Sequence, residues 1–177
     1  MDFMIYVMSD IHGHLQRFES VMSQINLQPE DTLYILGDVI DRSPDGIRIL
    51  RKLMKMPNVK MLLGNHEYMM MDALVYPPDD RISKWERGSE MKQRMILWYD
   101  NGGEVTHNYL KHIRKDLRKE IFDYIESLPL NFDIEVFDDP ILMRDELRKK
   151  NQINNKARMV AGYCYDWNVK NHRDEYD

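Results

Sequence analysis

The chain has little of what secreted, membrane-spanning or nucleic-acid-binding proteins require. Its 177 residues include one cysteine, Cys164, so no disulfide can form within the chain. The apolar stretch from Phe3 to Met8 is too short for a signal peptide or a membrane span. Because 30 Asp and Glu residues outnumber 25 Lys and Arg residues, the broad attraction behind general nucleic-acid binding is absent. We therefore expect a cytoplasmic protein with no membrane partner and no general affinity for nucleic acid.

What the sequence does contain is a pattern of strand, polar loop and helix that occurs three times. Nearly unbroken apolar runs lie at residues 3–9, 32–36 and 59–63, and apolar residues at helical spacing follow each loop. The second helix is expected to begin at Ser43-Pro44, and the third near Tyr68. Strands separated by helices of this length predict an α/β fold with one mostly parallel sheet.

The remainder of the chain predicts a helical insert followed by a strand. The insert covers residues 82–128, with an interruption near Gly88 and one long helix from Tyr109 to Leu128. After Pro129, apolar and acidic residues alternate from Phe132 to Val136, which is typical of a half-buried strand.

The three polar loops carry the residues that can perform chemistry. Because parallel strands end at the same edge of a sheet, these loops converge there. Carboxylate, imidazole and amide groups at one point suit a pair of divalent ions such as Mn, Fe or Zn better than Ca. Two such ions polarise phosphoryl oxygens and lower the pKa of bound water from about 15.7 to about 7, which favours phosphoester hydrolysis. The residues delivered by the loops are Asp10, His12, Asp38, Asp41, Arg42, Asn65 and His66.

Four stretches of the chain carry a resemblance to a known family. They are residues 10–14 (DIHGH), 37–42 (GDVIDR), 64–67 (GNHE) and 98–103 (WYDNGG). In this order they resemble the calcineurin-like metallophosphoesterases, specifically the Ser/Thr protein phosphatase branch of the bacterial and phage type. The resemblance covers roughly residues 1–136. It implies a metallophosphoesterase-like βαβαβ sheet with a helical insert, half of the usual α-β-β-α sandwich.

The resemblance also implies the ligands of two divalent metal ions. By this similarity Asp10 and His12 bind the first ion, Asp38 bridges both ions, and Asn65 binds the second ion. Members of the family carry further metal-binding histidines in their second half, whereas the one histidine after Val136 here is His172. We therefore expect incomplete occupancy of the two-metal site and impaired activity.

Three further residues receive roles in the reaction from the same resemblance. His66 protonates the leaving alkoxide, and Asp41 holds the His66 imidazole in the correct tautomer. Arg42 clamps the phosphoryl oxygens, a task suited to its planar fork of donors. The expected substrate is a phosphoprotein or a small phosphoester.

The end of the chain is expected to differ in origin from the beginning. Residues 1–137 are assigned to an apparently truncated metallophosphoesterase domain and residues 138–177 to a C-terminal extension. The segment from Phe137 to Trp167 resembles an internal piece of a helicase-like P-loop ATPase domain related to schlafen proteins. Because the chain has no G-x-x-x-x-G-K-[ST] motif, ATPase activity is not expected. Alternatively, this segment is an ordinary C-terminal helix and strand packed on the sheet.

The leading hypothesis is a metal-dependent phosphomonoesterase of the Ser/Thr protein phosphatase type. One alternative is an inactive remnant that acts as a binding or scaffold module. The other is a hydrolase of dinucleoside polyphosphates or a nuclease, which the net charge of −5 disfavours. A sheet without its usual partner sheet also predicts a homodimer formed through the exposed apolar face.

Overall fold

A three-stranded parallel sheet is the centre of the fold. The structure is a computed structural model that describes residues 4–78, 80–81, 83–135 and 156–160. The sheet has the order β1 (Ile5–Met8), β2 (Thr32–Ile35) and β3 (Val59–Met61), and both pairs are parallel. The expected α/β fold with a mostly parallel sheet is confirmed.

Each strand of this sheet leads into a helix. These are α1 (Leu15–Ile25), α2 (Gly46–Leu53) and α3 (Asn65–Leu74). Helix α2 begins later than the predicted Ser43-Pro44 start, because the Ser43 N–H donates to the Asp41 carbonyl at 2.7 Å in a tight turn. Helix α3 begins three residues earlier than predicted, so that Asn65 lies in its first turn.

The insert contains three helices and corrects two expectations. Helix α4 (Lys84–Asp100) continues through Gly88, where the surrounding space is open. One glycine costs a helix about 1 kcal/mol, and a 17-residue helix with a capping box at Ser83 and Glu86 tolerates that cost. The single helix predicted from Tyr109 to Leu128 was wrong.

Two helices, α5 (Glu104–Lys111) and α6 (Lys115–Glu126), occupy that region instead. The break lies at residues 112–114. There the His112 imidazole donates to the Asn108 carbonyl at 2.6 Å and satisfies an acceptor at the end of α5. Apolar residues keep helical spacing across the break, so periodicity alone does not reveal it.

A second, smaller sheet pairs the predicted fourth strand with part of the C-terminal segment. Strand β4 (Asn131–Glu135) lies antiparallel to β5 (Lys156–Val160). The rings of Tyr34 in β2 and Phe132 in β4 are 5.5 Å apart. Apart from β5, the segment 138–177 lies outside the described residues, and its assignment as a separate extension stays a prediction.

Burial is deepest at β2 and at the helix that follows it. Leu33, Ile35 and Leu50 are completely buried, whereas Val7 in β1 is 53% exposed and Met4 beside it 52% exposed. The incompletely covered sheet face and the homodimer formed through it stay predictions. Among the helices that the structure describes, none is long and apolar enough to cross a membrane.

We predict that Leu50→Ala lowers the free energy of unfolding by about 2 to 5 kcal/mol, because the truncation removes buried methyl groups and leaves a cavity. Leu97→Ala is the matched control, since Leu97 is 56% exposed on α4 and its truncation changes stability by less than about 0.5 kcal/mol. Urea unfolding of both variants measures the difference. Equal losses for the two leucines would contradict the described core.

Candidate functional site

The carboxyl ends of the three parallel strands bring together a cluster of possible metal ligands. One carboxylate oxygen each from Asp10 and Asp38 and one ring nitrogen of His12 all lie within 4.8 Å of one another. His12 and Asp38 are buried, whereas the side chain of Asp10 is 67% exposed. Protein therefore covers the side of the cluster formed by His12 and Asp38, and solvent reaches the side formed by Asp10.

His12 has the protonation state and orientation of a metal ligand. Its Nδ1–H donates to the Ile40 carbonyl at 3.0 Å, which leaves the Nε2 lone pair free. Burial lowers the pKa of His12, and the neighbouring His66 and Arg42 lower it further. The buried Nε2 has no hydrogen-bond partner among the described residues and lies 3.7 Å from Asp10 Oδ1. A neutral imidazole whose free nitrogen faces carboxylates fits a divalent cation.

Asp38 and Asn65 lie in direct contact beside this cluster. Burial raises the pKa of Asp38, and the charge of Asp10 raises it further. The side-chain amide of Asn65, oriented with its NH₂ toward Asp38, donates to the two carboxylate oxygens at 2.8 and 3.0 Å. Rotation of this amide would turn its oxygen toward a cation bound by Asp38. The described residues thus offer three ligands around one point and a fourth beside it.

A buried glutamate, Glu67, fixes the loop carrying Asp38, a role that its place in the GNHE motif did not reveal. The Glu67 carboxylate accepts the backbone N–H groups of Asp38, Val39 and Ile40 at 2.9, 2.9 and 3.2 Å. Burial raises the pKa of Glu67 to about 7, and repulsion from Asp38 contributes to the shift. The sequence signal was its place directly after Asn65-His66 in the loop motif, but only the folded chain shows the target of its carboxylate.

The loops adopt an unusual backbone to reach this arrangement. A Cβ atom on Gly64 would lie 2.3 Å from the Asp38 nitrogen, so only glycine allows the loops to approach so closely. Left-handed backbone at non-glycine residues costs energy and persists where surrounding contacts enforce it. Such positive φ angles occur at Asp10 (53°), His12 (44°), Asp38 (57°), Asp41 (69°) and Arg42 (61°).

The remaining predicted site residues form a hydrogen-bonded group beside the cluster. His66 Nδ1–H donates to Asp41 Oδ2 at 2.9 Å, and both side chains are buried. This bond fixes the tautomer of His66 and leaves Nε2 for the site, where Arg42 Nη2 donates to it at 3.2 Å. The rings of His66 and His12 meet edge to face with centroids 4.5 Å apart. An imidazole, a guanidinium and a cluster of possible metal ligands therefore share one location.

Comparison with known proteins gives a family match and several curated relatives. The model of the calcineurin-like phosphoesterase family matches residues 3–175. A symmetrical bis(5'-nucleosyl)-tetraphosphatase of Pectobacterium atrosepticum is 29% identical over 106 residues, covering 50% of this chain and 38% of the relative. The corresponding protein of Pectobacterium carotovorum subsp. carotovorum is 36% identical over 84 residues, covering 44% and 30%. The chain spans less than half the length of these relatives.

Two solved structures illustrate the similarity in architecture. A metallophosphoesterase from Sphaerobacter thermophilus is 20% identical, with a TM-score of 0.42, and the match covers 72% of this chain and 42% of that one. A protein serine/threonine phosphatase from Saccharomyces cerevisiae is also 20% identical, with a TM-score of 0.40 and coverage of 74% and 38%. The family match passes the boundary placed at residues 137 and 138, and the separate origin of the C-terminal segment stays a prediction.

We predict that His12→Ala weakens Mn²⁺ binding about tenfold or more, because it removes a neutral nitrogen already directed at the carboxylates. His14→Ala is the matched control, since His14 is exposed and its ring contacts Ser43 rather than the cluster. Isothermal titration of the metal-free chain with Mn²⁺ measures both affinities. A His12→Ala chain that binds Mn²⁺ as the wild type does would exclude His12 as a ligand.

Proposed function

Because the chain belongs to the calcineurin-like phosphoesterase family, we propose that it hydrolyses phosphate monoesters in a metal-dependent reaction. The supporting observation is the contact between Asp41 and His66 directly beside the cluster of Asp10, His12 and Asp38. Metal ligands alone would fit a binding module as well as an enzyme. An imidazole oriented by a buried carboxylate at the edge of such a cluster is the arrangement that general acid catalysis requires.

The metal ions of this proposal are a pair of divalent ions such as Mn, Fe or Zn. Asp10, His12 and Asp38 would hold one ion, and Asp38 with Asn65 the other. When bound, such ions polarise phosphoryl oxygens and lower the pKa of a water molecule toward neutrality. We take Mn²⁺ as the working choice, since oxygen donors outnumber the single imidazole.

Arg42 is proposed to bind the substrate. Its side chain is exposed at the site and carries a planar fork of donors that matches two phosphoryl oxygens. In the absence of substrate this guanidinium donates to His66 Nε2. A phosphate dianion is a stronger partner than a neutral imidazole, so substrate binding draws Arg42 away and frees Nε2.

His66 is proposed to act as the general acid. With Nδ1–H held by Asp41, the Nε2 that Arg42 leaves free takes up a proton from solvent, and the resulting imidazolium carries its transferable proton there. As water attacks phosphorus and the bond to the leaving oxygen breaks, this proton moves to the leaving oxygen. The products are an alcohol and inorganic phosphate. The buried Asp41 carboxylate stabilises the imidazolium before transfer and keeps its ring in place.

A second candidate substrate is a dinucleoside tetraphosphate, because curated relatives that are 29% and 36% identical carry that activity in their names. The same cluster and guanidinium would serve this reaction. The difference lies in the leaving group, since a nucleoside phosphate departs with little need for protonation. The Asp41–His66 pair favours the monoester with an alcohol leaving group as the first choice.

We predict that His66→Gln lowers kcat on a phosphoserine peptide by about 10² to 10⁴, and lowers it much less on p-nitrophenyl phosphate, which needs little protonation. His112→Gln is the control, because His112 is exposed at the end of α5. The assay compares these substrates and diadenosine tetraphosphate with Mn²⁺ and with EDTA.

The outcomes of this assay separate the candidate functions. Hydrolysis of diadenosine tetraphosphate alone would favour the second candidate. A chain that binds Mn²⁺ and hydrolyses none of the three substrates would favour the binding or scaffold module. A His66→Gln chain with wild-type activity on every substrate would remove His66 from the reaction.

A further inference from the structure

The indole of Trp98 touches the same carboxylate that orients His66. Trp98 lies near the end of α4 and is completely buried. Its Nε1–H donates to Asp41 Oδ2 at 2.9 Å, and that oxygen also accepts the His66 Nδ1–H at 2.9 Å. Two donors that lie far apart in the sequence therefore converge on one oxygen of one buried carboxylate.

The other oxygen of Asp41 does not hold the carboxylate in place. Asp41 Oδ1 is buried and has no hydrogen-bond partner among the described residues. Such an atom is rare in folded proteins, because its lost hydration is not replaced. The rotation of the carboxylate about its χ2 bond is therefore set by the two donors on Oδ2. Without the indole donor, the bond to His66 would be the remaining hydrogen bond that resists rotation.

The indole itself is held by the turn between α4 and α5. A Cβ atom on Gly103 would lie 2.3 to 2.4 Å from three indole atoms, so the backbone of residue 103 packs directly on the edge that carries the N–H. The His107 ring lies 5.6 Å from the indole at 36°, and the Tyr99 hydroxyl is 2.6 Å from His107 Nδ1. Trp98 is thus a fixed donor rather than a mobile one.

The same turn and the first turn of α5 hold the backbone of Asp41 and Arg42 beside the cluster of possible metal ligands. The Asp41 N–H donates to Thr106 Oγ1 at 3.0 Å, and the Arg42 N–H donates to the Gly102 carbonyl at 3.0 Å. Both residues have left-handed backbone, which such contacts maintain. The insert therefore supports residues 41 and 42 from outside the parallel sheet.

From this geometry we propose that Trp98 is a positioning residue that acts through Asp41 to keep His66 aligned for proton transfer. The inference rests on the proposed function, in which His66 is the general acid. Trp98 does not face the metal cluster in any described contact, so its effect is expected on protonation of the leaving group. Metal binding is expected to stay unchanged.

The test replaces the indole by a ring without the donor. Trp98→Phe keeps an aromatic side chain and removes the N–H, and Trp85→Phe is the matched control because Trp85 lies on the same helix and is 81% exposed. We expect Trp98→Phe to lower kcat on a phosphoserine peptide about tenfold or more. We expect much less change on p-nitrophenyl phosphate, and a KM near that of the wild type on both substrates.

A second readout does not depend on activity. Proton NMR of the metal-free chain detects the His66 Nδ1–H bound to Asp41, assigned by its disappearance in His66→Gln. In Trp98→Phe we expect this resonance to shift or to broaden through exchange with water, whereas Trp85→Phe leaves it unchanged. Urea unfolding and Mn²⁺ titration of the variant establish that the fold and the metal cluster are intact.

Each outcome decides the proposal. A changed resonance together with a loss that is larger for the poor leaving group supports it. An unchanged resonance, or an equal loss on both substrates, overturns it and leaves Trp98 with a packing role only. If the wild-type chain hydrolyses none of these substrates, the proposed function fails, and the resonance alone decides whether Trp98 positions His66.

Discussion

One buried carboxylate holds the loop on which the rest of the site depends. Glu67 accepts three consecutive backbone N–H groups of residues 38–40, and this fixes the loop after β2. The loop after β1 then packs against the same segment. The backbone N–H groups of His12 and Gly13 donate to the carbonyls of Asp38 and Val39 at 3.0 and 2.8 Å. The His12 ring completes the attachment through Ile40. The positions of the candidate ligands Asp10, His12 and Asp38 depend on this one loop.

The same arrangement concentrates negative charge, and this explains why the site suits cations. Burial is the main cause of the raised pKa values of Asp38 and Glu67, because a low-dielectric surrounding penalises the charged form. The charge of Asp10 adds to the pKa shift of Asp38, and the charge of Asp38 adds to that of Glu67. A divalent ion beside Asp38 would offset this repulsion, and the free nitrogen of His12 would be available to it. Bringing these side chains together requires left-handed backbone in the loops, and that conformation costs energy.

The sequence predicted the features that depend on local pattern. Apolar runs placed the three strands, and the identity of the polar residues after each strand located the cluster at one sheet edge. The break between α5 and α6 was not predictable, because the apolar spacing continues across it. The hydrogen bond from His112 that caps α5 depends on the backbone conformation of the folded chain. The roles of Glu67 and Trp98 could not be predicted from the sequence either, since their hydrogen bonds to Asp38 and Asp41 join residues 29 and 57 positions apart. Such pairings are set by tertiary packing and leave no periodic signal.

A Mn²⁺-loaded crystal measured at the manganese absorption edge tests most directly whether the three loops hold a divalent ion. We expect an anomalous peak about 2.0 to 2.6 Å from carboxylate oxygens of Asp10 and Asp38 and from His12 Nε2. A second peak between Asp38 and Asn65 would extend the site to two ions. Anomalous density found only elsewhere on the chain, or its absence at saturating Mn²⁺, would contradict the account.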